Sequence, residues 1–137
     1  MKGTYVLVMF LASEDVMRIG KLGSKKFEKG VYAYVGSALN SLEGRINRHL
    51  KDDKKLHWHI DYFLSEAEII SIIYGESNQK KECEIAEYLG EEFSIIENFG
   101  SSDCDCRSHF FYGGQEDFEA KIIKSFKKAG LEPERWS

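Results

Sequence analysis

The chain has 137 residues, enough to bury one hydrophobic core, and we expect a single domain over residues 1–137. Hydrophobic residues make up 42% and charged residues 31%, an ordinary balance for a globular protein, and no apolar run approaches the ~18 residues of a membrane span. The N-terminus also lacks the basic and apolar regions of a secretory signal. We therefore expect a cytoplasmic protein with no membrane partner.

The formal net charge of -4 hides an uneven distribution. Residues 1–62 carry eleven Lys/Arg and seven Asp/Glu, whereas residues 63–137 carry eight and sixteen. Phosphate binding depends on a local basic surface rather than on the total charge. The N-terminal half can therefore supply a phosphate-binding surface, although a solvated charged face explains the same composition.

The first 50 residues are predicted to form three strands and a helix. Residues 3–11, 16–19 and 30–36 are rich in β-branched and aromatic side chains, which favour strands. An antiparallel three-stranded meander is their simplest arrangement, with a glycine-containing loop between the second and third strands. Ser41 is predicted to cap a helix that ends at Leu50.

The rest of the chain alternates between helices and strands. The predicted elements are a helix over residues 57–67, a strand over 68–74, a helix over 80–89, a short extended segment over 93–96, an irregular loop over 100–108, an edge strand over 109–112 and an amphipathic helix over 116–129. The last helix carries Phe118, Ile122, Ile123 and Phe126 on one side and is expected to cover the sheet. The predicted fold class is α/β in the mixed, α+β sense.

Two tyrosine tripeptides precede an arginine and a histidine. Gly3-Thr4-Tyr5 and Tyr34-Val35-Gly36 lie on predicted strands, and Arg45 and His49 share one face of the following helix. These side chains can hold and hydrolyse a phosphodiester, and a glutamate on a later helix can bind a metal. Each residue alone also has a structural explanation, because a strand tyrosine is usually core and Gly36 can simply permit the turn into the helix.

The order Tyr, Tyr-x-Gly, Arg, His, Glu resembles the GIY-YIG endonuclease superfamily over residues 3–89. Two polar stretches, residues 56–62 and 100–109, are similar to the small stand-alone members described as Uri-type endonucleases, which extends the resemblance to about residue 112. The resemblance implies a central three-stranded antiparallel sheet flanked by helices, followed by a C-terminal loop and helix over residues 100–137. It also implies metal-dependent hydrolysis of phosphodiester bonds in DNA.

The resemblance assigns catalytic roles to four residues. Tyr5 would help to activate the attacking water, and Tyr34 would lie beside it at the scissile phosphate. Arg45 would stabilise the phosphate, and His49 would assist proton transfer. Glu82 would bind Mg²⁺ or Mn²⁺, which prefer oxygen ligands.

Other assignments leave alternatives open. Glu84 and Glu87 compete with Glu82, because the register of this helix is not settled by the sequence. The residues expected to contact nucleic acid are Arg48, Lys51, His57 and Arg107. As a departure from the family pattern, 28 residues separate Tyr5 from Tyr34, more than typical members have, and an inserted strand around residues 16–19 can absorb them.

The three cysteines are an odd number, which argues against a disulfide framework. Cys104-x-Cys106-x-x-His109 offers three zinc ligands, and the fourth would come from His57, His59 or Cys83. The spacing is not the commoner Cys-x-x-Cys, so we expect a reduced loop packed against the active site rather than structural zinc.

The sequence thus predicts a divalent-metal-dependent DNA endonuclease active in DNA repair, with a repair protein or fused domain supplying specificity. The alternative is a DNA-binding accessory module that keeps the fold but does not cut. The alternatives differ in geometry, because an enzyme needs Tyr5, Tyr34, Arg45 and one glutamate to converge on one groove.

Overall fold

The computed structural model describes residues 1–51, 54–100, 107–114 and 118–136. The elements in chain order are β1 (Gly3–Leu11), β2 (Asp15–Arg18), β3 (Ser24–Phe27), β4 (Gly30–Ala38), α1 (Leu42–Leu50), α2 (His59–Leu64), β5 (Glu68–Glu76), α3 (Glu82–Glu92), β6 (Ser94–Ile95), β7 (Phe110–Gly114), α4 (Phe118–Lys128) and β8 (Glu134–Arg135). The fold is therefore mixed α/β, as expected. No helix in these described ranges has the length and apolar character needed to cross a membrane.

The main sheet contains six strands in the order β6-β7-β4-β1-β5-β8, and its pairings are antiparallel. The predicted number of three strands is wrong, because β5 and the short strands β6, β7 and β8 also pair into this sheet. β1 lies between β4 and β5, so both of its backbone edges are paired, and eight of its nine residues are buried. The predicted edge strand near residue 110 is β7, which lies between β4 and β6.

The prediction that residues 16–19 join the central meander is wrong. β2 pairs with β3 in a separate two-stranded sheet. The sequence predicts a loop in place of β3, because three of its four residues, Ser24, Lys25 and Lys26, are polar. Gly23, with φ 79°, allows the chain to fold back between the two strands, and Met17 and Phe27 bury their side chains in the core.

The two faces of the main sheet bury different residues, because successive strand residues point to opposite sides. The first face carries Tyr5, Leu7 and Met9 from β1 and packs against residues of α1, α2 and the β2–β3 pair. The second face carries Val6 and Val8 and packs against residues of α3 and α4. The expectation that the last helix covers the sheet is met by Phe118, Ile122 and Phe126.

Several element ends differ from the predictions. α1 begins and ends as expected, and the Ser41 hydroxyl accepts a hydrogen bond from the Gly44 amide at 2.9 Å. α2 is shorter than predicted, because Asp61 binds the amides of His57 and Trp58 and so fixes the residues before the helix. The two-residue strand β8 is absent from the predicted elements, since a strand of this length has no detectable sequence period.

Candidate active site

A cleft of about 540 Å³ opens where the start of β1 meets the end of β4. The N-terminal ends of α1 and α3 reach the same cleft. These helix ends carry partial positive charge, which favours an anionic ligand. The lining residues are Tyr5, Tyr34, Gly36, Ser37, Leu39, Asn40, Arg45, His57, Trp58, His59, Lys80, Glu82, Gly100 and His109.

Tyr5 and Gly36 of the two tripeptides are directly opposite each other. They are register partners on β1 and β4, and a Cβ built on Gly36 would lie 2.3 Å from the Tyr5 hydroxyl oxygen. Gly36 is therefore needed to leave space for the Tyr5 ring. The alternative explanation, that Gly36 simply permits the turn into the helix, does not hold, because β4 continues to Ala38.

Tyr34 lies on the same face of the sheet as Tyr5, diagonally across the strand pair. The register partner of Tyr34 is Leu7, two residues along β1 from Tyr5. Gly100, with φ 70°, approaches Tyr34 so closely that a Cβ there would lie 2.8 Å from the ring. By contrast Tyr32, in the tripeptide Gly30-Val31-Tyr32, packs among phenylalanines outside the cleft.

The Tyr5 hydroxyl is hydrogen-bonded to His49 Nε2 at 2.7 Å, and both side chains are buried. Burial raises the pKa of Tyr5 well above its ordinary value, and the nearby Tyr34 adds to this rise while Arg45 opposes it. Burial also lowers the pKa of His49 to about 3, against an opposing effect of Asp61. At neutral pH the pair is therefore an uncharged phenol and an uncharged imidazole.

Arg45 is held at the cleft by contacts that include Ser37 and Trp58. It donates a hydrogen bond to the Ser37 carbonyl oxygen at 3.1 Å, and its guanidinium lies 4.6 Å from the centre of the Trp58 ring. Arg48 lies 4.1 Å from the centre of the same ring. Asp61 in turn binds Arg48 through two hydrogen bonds of 3.0 Å. These contacts link Arg45 to a buried carboxylate through Trp58 and Arg48.

The structure does not bring all predicted nucleic-acid contacts to the cleft. Of the four, His57 lines it. Arg48 is engaged with Asp61, which is fully buried, and Arg107 is exposed and paired with Glu97. Lys51 follows the C-terminal end of α1 and lines a different cavity.

Of the three glutamates considered as metal ligands, Glu82 lines the cleft. Its side chain is 16% exposed at the start of α3, and its negative charge raises the pKa of Tyr5. Glu84 is 48% exposed and pairs with Lys81, and Glu87 is also exposed and absent from the cleft lining. The register left open by the sequence therefore places Glu82 at the cleft.

The zinc hypothesis falls partly outside the described residues, since Cys104 and Cys106 belong to a segment that is not described. Cys83 Sγ lies 3.8 Å from His109 Nε2, while His59 Nδ1 accepts a hydrogen bond from the Gly100 amide at 3.0 Å. Within the described ranges no three His, Cys, Asp or Glu side chains are grouped to hold a metal ion. A single carboxylate still fits Mg²⁺ or Mn²⁺, which commonly bind one or two carboxylates together with water and substrate phosphate.

Sequence reasoning misses some residues of the cleft wall. It marks Trp58 only as part of an unusual polar stretch, and His59 only as a zinc ligand. It places Lys80 at the start of the predicted helix over residues 80–89 and gives it no role, whereas α3 begins at Glu82 and Lys80 lies in the loop before it. The unusual density of His and Trp in residues 56–62 is a usable signal, since binding residues often lie in loops beside a rigid scaffold.

The chain belongs to the family described as domain of unknown function DUF123, whose family model matches residues 4–131. This match includes the cleft residues from Tyr5 to His109. No curated protein and no solved structure matches the chain.

Proposed function

We propose that this protein is a metal-dependent endonuclease that hydrolyses phosphodiester bonds in DNA. The observation that carries the proposal is the convergence of Tyr5, Tyr34, Arg45 and Glu82 on one cleft. This is the geometry that separates an enzyme from a binding module with the same fold. The N-terminal ends of α1 and α3 beside these residues favour the anionic substrate.

Arg45 is suited to bind the scissile phosphate. A guanidinium donates several hydrogen bonds in a fixed plane, and Arg45 uses one of them on the Ser37 carbonyl oxygen. Stacking on Trp58 restricts its orientation, so less freedom is lost when the phosphate binds. We expect Arg45 to stabilise the charge that develops on the phosphate oxygens.

Tyr5 and His49 are suited to orient the attacking water. The raised pKa of Tyr5 keeps its hydroxyl protonated, so it does not act as a phenolate base at neutral pH. With its proton directed to His49 Nε2, the Tyr5 oxygen can accept a hydrogen bond from water in the cleft. A divalent ion at Glu82 would lower the pKa of the water and neutralise phosphate charge.

The finer fold assignment belongs to the same proposal. We infer that β4, β1 and β5 are equivalent to the three-stranded sheet of GIY-YIG endonucleases. Support comes from the position of both tripeptides on β1 and β4 and of Arg45 on the helix that follows. The remaining strands and the β2–β3 pair would then be additions to that core.

The experiment is cleavage of labelled duplex, single-stranded, flap and branched DNA with Mg²⁺ or Mn²⁺. Arg45→Ala and Glu82→Gln should each lower the cleavage rate by about 10²–10³-fold, the usual effect of removing one stabilising group. Glu84→Gln is the matched control, because Glu84 lies on the same helix and outside the cleft. It should retain the wild-type rate.

Two outcomes would overturn the proposal. Cleavage that both Arg45→Ala and Glu82→Gln retain would mean that the activity does not come from this cleft. No cleavage of any substrate, together with salt-sensitive DNA binding that Arg45→Ala weakens, would favour the accessory module.

A further inference from the structure

The β2–β3 pair and the turn between them, residues 15–27, form a ribbon beside the cleft. Its buried residues Met17, Ile19 and Phe27 join the core on the face of the sheet that carries Tyr5 and Tyr34. Gly20 in the turn approaches α2 closely, since a Cβ there would lie 3.3 Å from the Tyr62 ring. The ribbon therefore packs against α2, the helix whose first residue lines the cleft.

The charge of the ribbon is opposite to that of the chain. Residues 15–27 contain four Lys/Arg and one acidic residue, Asp15, although the chain has a net charge of -4. Arg18 and Lys21 are exposed, and Lys25 is half-buried. In the part of the chain that the structure describes, none of these three forms an ion pair.

Three of the other four arginines in the described ranges differ in this respect, the exception being Arg45 in the cleft. Arg48, Arg107 and Arg135 each pair with a carboxylate, and within the ribbon only Lys26 does so, with Glu14 at 3.0 Å. Three ribbon cations therefore keep their charge available for an external anion.

A charged residue of the ribbon interacts electrostatically with a residue that lines the cleft. The pKa of His59, a cleft residue, is lowered by burial and also by the positive charge of Lys25. Lys25 lies on β3 opposite Met17, whose side chain is buried on the inner side of the ribbon. An anionic chain that leaves the cleft past His59 would therefore meet Lys25 first, and Arg18 and Lys21 are further exposed cations of the same ribbon.

We propose that the ribbon is a second nucleic-acid contact, which binds backbone phosphates flanking the bond held in the cleft. This inference depends on the proposed function only in that the cleft accepts nucleic acid. Exposed lysine and arginine side chains bind phosphates without reading bases, and each neutralised phosphate makes binding more sensitive to salt. The ribbon occupies the long segment between the two tyrosine tripeptides, so that segment supplies substrate affinity.

The test measures duplex DNA binding without a divalent ion as a function of salt concentration. The triple variant Arg18→Gln/Lys21→Gln/Lys25→Gln should reduce the slope of log affinity against log salt by about 0.9 for each phosphate that the ribbon no longer neutralises. The matched control is Lys124→Gln/Lys127→Gln/Lys128→Gln, which makes the same charge change on α4, on the opposite face of the sheet. Its slope should stay at the wild-type value.

A second substrate separates the ribbon from the cleft. A trinucleotide that fills only the cleft should bind the ribbon variant and wild type equally. Equal reductions of slope in both triple variants would overturn the proposal, because a general charge effect would then explain binding. An unchanged slope in the ribbon variant would also overturn it. Cleavage that this variant retains and that Arg45→Ala and Glu82→Gln lose would still support the nuclease.

If the protein binds duplex DNA but does not cut it, the nuclease proposal fails while the ribbon remains testable by its slope. Thermal unfolding of each variant checks that the fold is retained. The three ribbon positions form no ion pair or side-chain hydrogen bond in the described residues, so we expect melting temperatures close to that of wild type.

Discussion

The two faces of the central sheet use alternate residues of the same strands for different purposes. On the face under α3 and α4, Val6 and Val8 join a cluster of apolar side chains. On the other face, the hydroxyl of Tyr5 is hydrogen-bonded to His49. The face under α3 and α4 is packed with apolar side chains, whereas the face that carries Tyr5 also holds polar groups that hydrocarbon side chains could replace if packing were their only role.

Burial holds the uncharged polar groups of this small domain in position. Tyr5 is 1% exposed and His49 is 2% exposed, so neither side chain can move freely. A buried polar group without a partner costs about 1–3 kcal/mol, and the Tyr5–His49 bond avoids part of that cost. The apolar face beneath provides the rigid support that such a site requires.

The largest effect is expected from Tyr5→Phe. The phenyl ring keeps the packing but removes the hydroxyl that orients water, so the cleavage rate should fall by about 10²–10³-fold. Tyr32→Phe is the matched control, because Tyr32 is buried on the same face and its hydroxyl binds the Glu28 carbonyl oxygen outside the cleft. A similar decrease in both variants would break the distinction between cleft and core.

On the face under α3 and α4, Phe126→Ala should lower the free energy of unfolding. Phe126 is fully buried, and truncation of a core phenylalanine to alanine costs about 3–5 kcal/mol. Urea unfolding should report this destabilisation, while the cleavage rate per folded molecule stays at the wild-type value. A reduced rate in fully folded protein would show that the two faces are coupled.

A smaller effect is expected on the pH dependence of stability, because His49 is buried in its neutral form. The folded-state pKa is about 3 and the unfolded value about 6.5, so between these values the unfolded chain binds a proton that the folded protein does not. Stability should therefore fall as pH decreases below about 6.5, by roughly 1.4 kcal/mol per unit from this group alone.

The lowered pKa values of His59 and Asp61 act in the same direction as that of His49. The contribution of His49 is therefore the difference between wild type and His49→Gln. Chemical unfolding at several pH values between 4 and 7 measures it. If the two proteins show equal pH dependence, His49 is not buried in its neutral form.

The smallest predicted effect is a preference of the neutral His59 ring for one tautomer. Because Nδ1 accepts a hydrogen bond from the Gly100 amide, the neutral ring should carry its proton on Nε2. Long-range ¹H–¹⁵N correlation spectra at neutral pH can identify this tautomer. A proton found on Nδ1 would mean that the Gly100 contact does not form in solution.

Much of the fold could be predicted from local patterns. β1 and α1 have the predicted ends, since a dense β-branched run defines the strand and Ser41 caps the helix. β3 could not be predicted, because only Phe27 of its residues is apolar and its pairing with β2 depends on tertiary packing.

The site was predictable as a set of residue types but not as a set of contacts. The order of Tyr5, Tyr34, Arg45 and Glu82 is visible in the sequence. The engagement of Arg48 with Asp61 is not, because these residues are 13 positions apart and on different helices. The structural requirement for glycine at position 36 could be recognised only from the register of β1 and β4, which places Gly36 opposite the Tyr5 ring.

The most direct test of the central claim is a double-mutant cycle of single-turnover DNA cleavage with Mn²⁺. It compares wild type, Arg45→Lys, Glu82→Asp and the double variant. If both residues act on one phosphate in one cleft, their effects should be coupled, and the rate of the double variant should fall by less than the product of the two single decreases. Decreases that multiply independently, or a wild-type protein with no metal-dependent cleavage, would contradict the account.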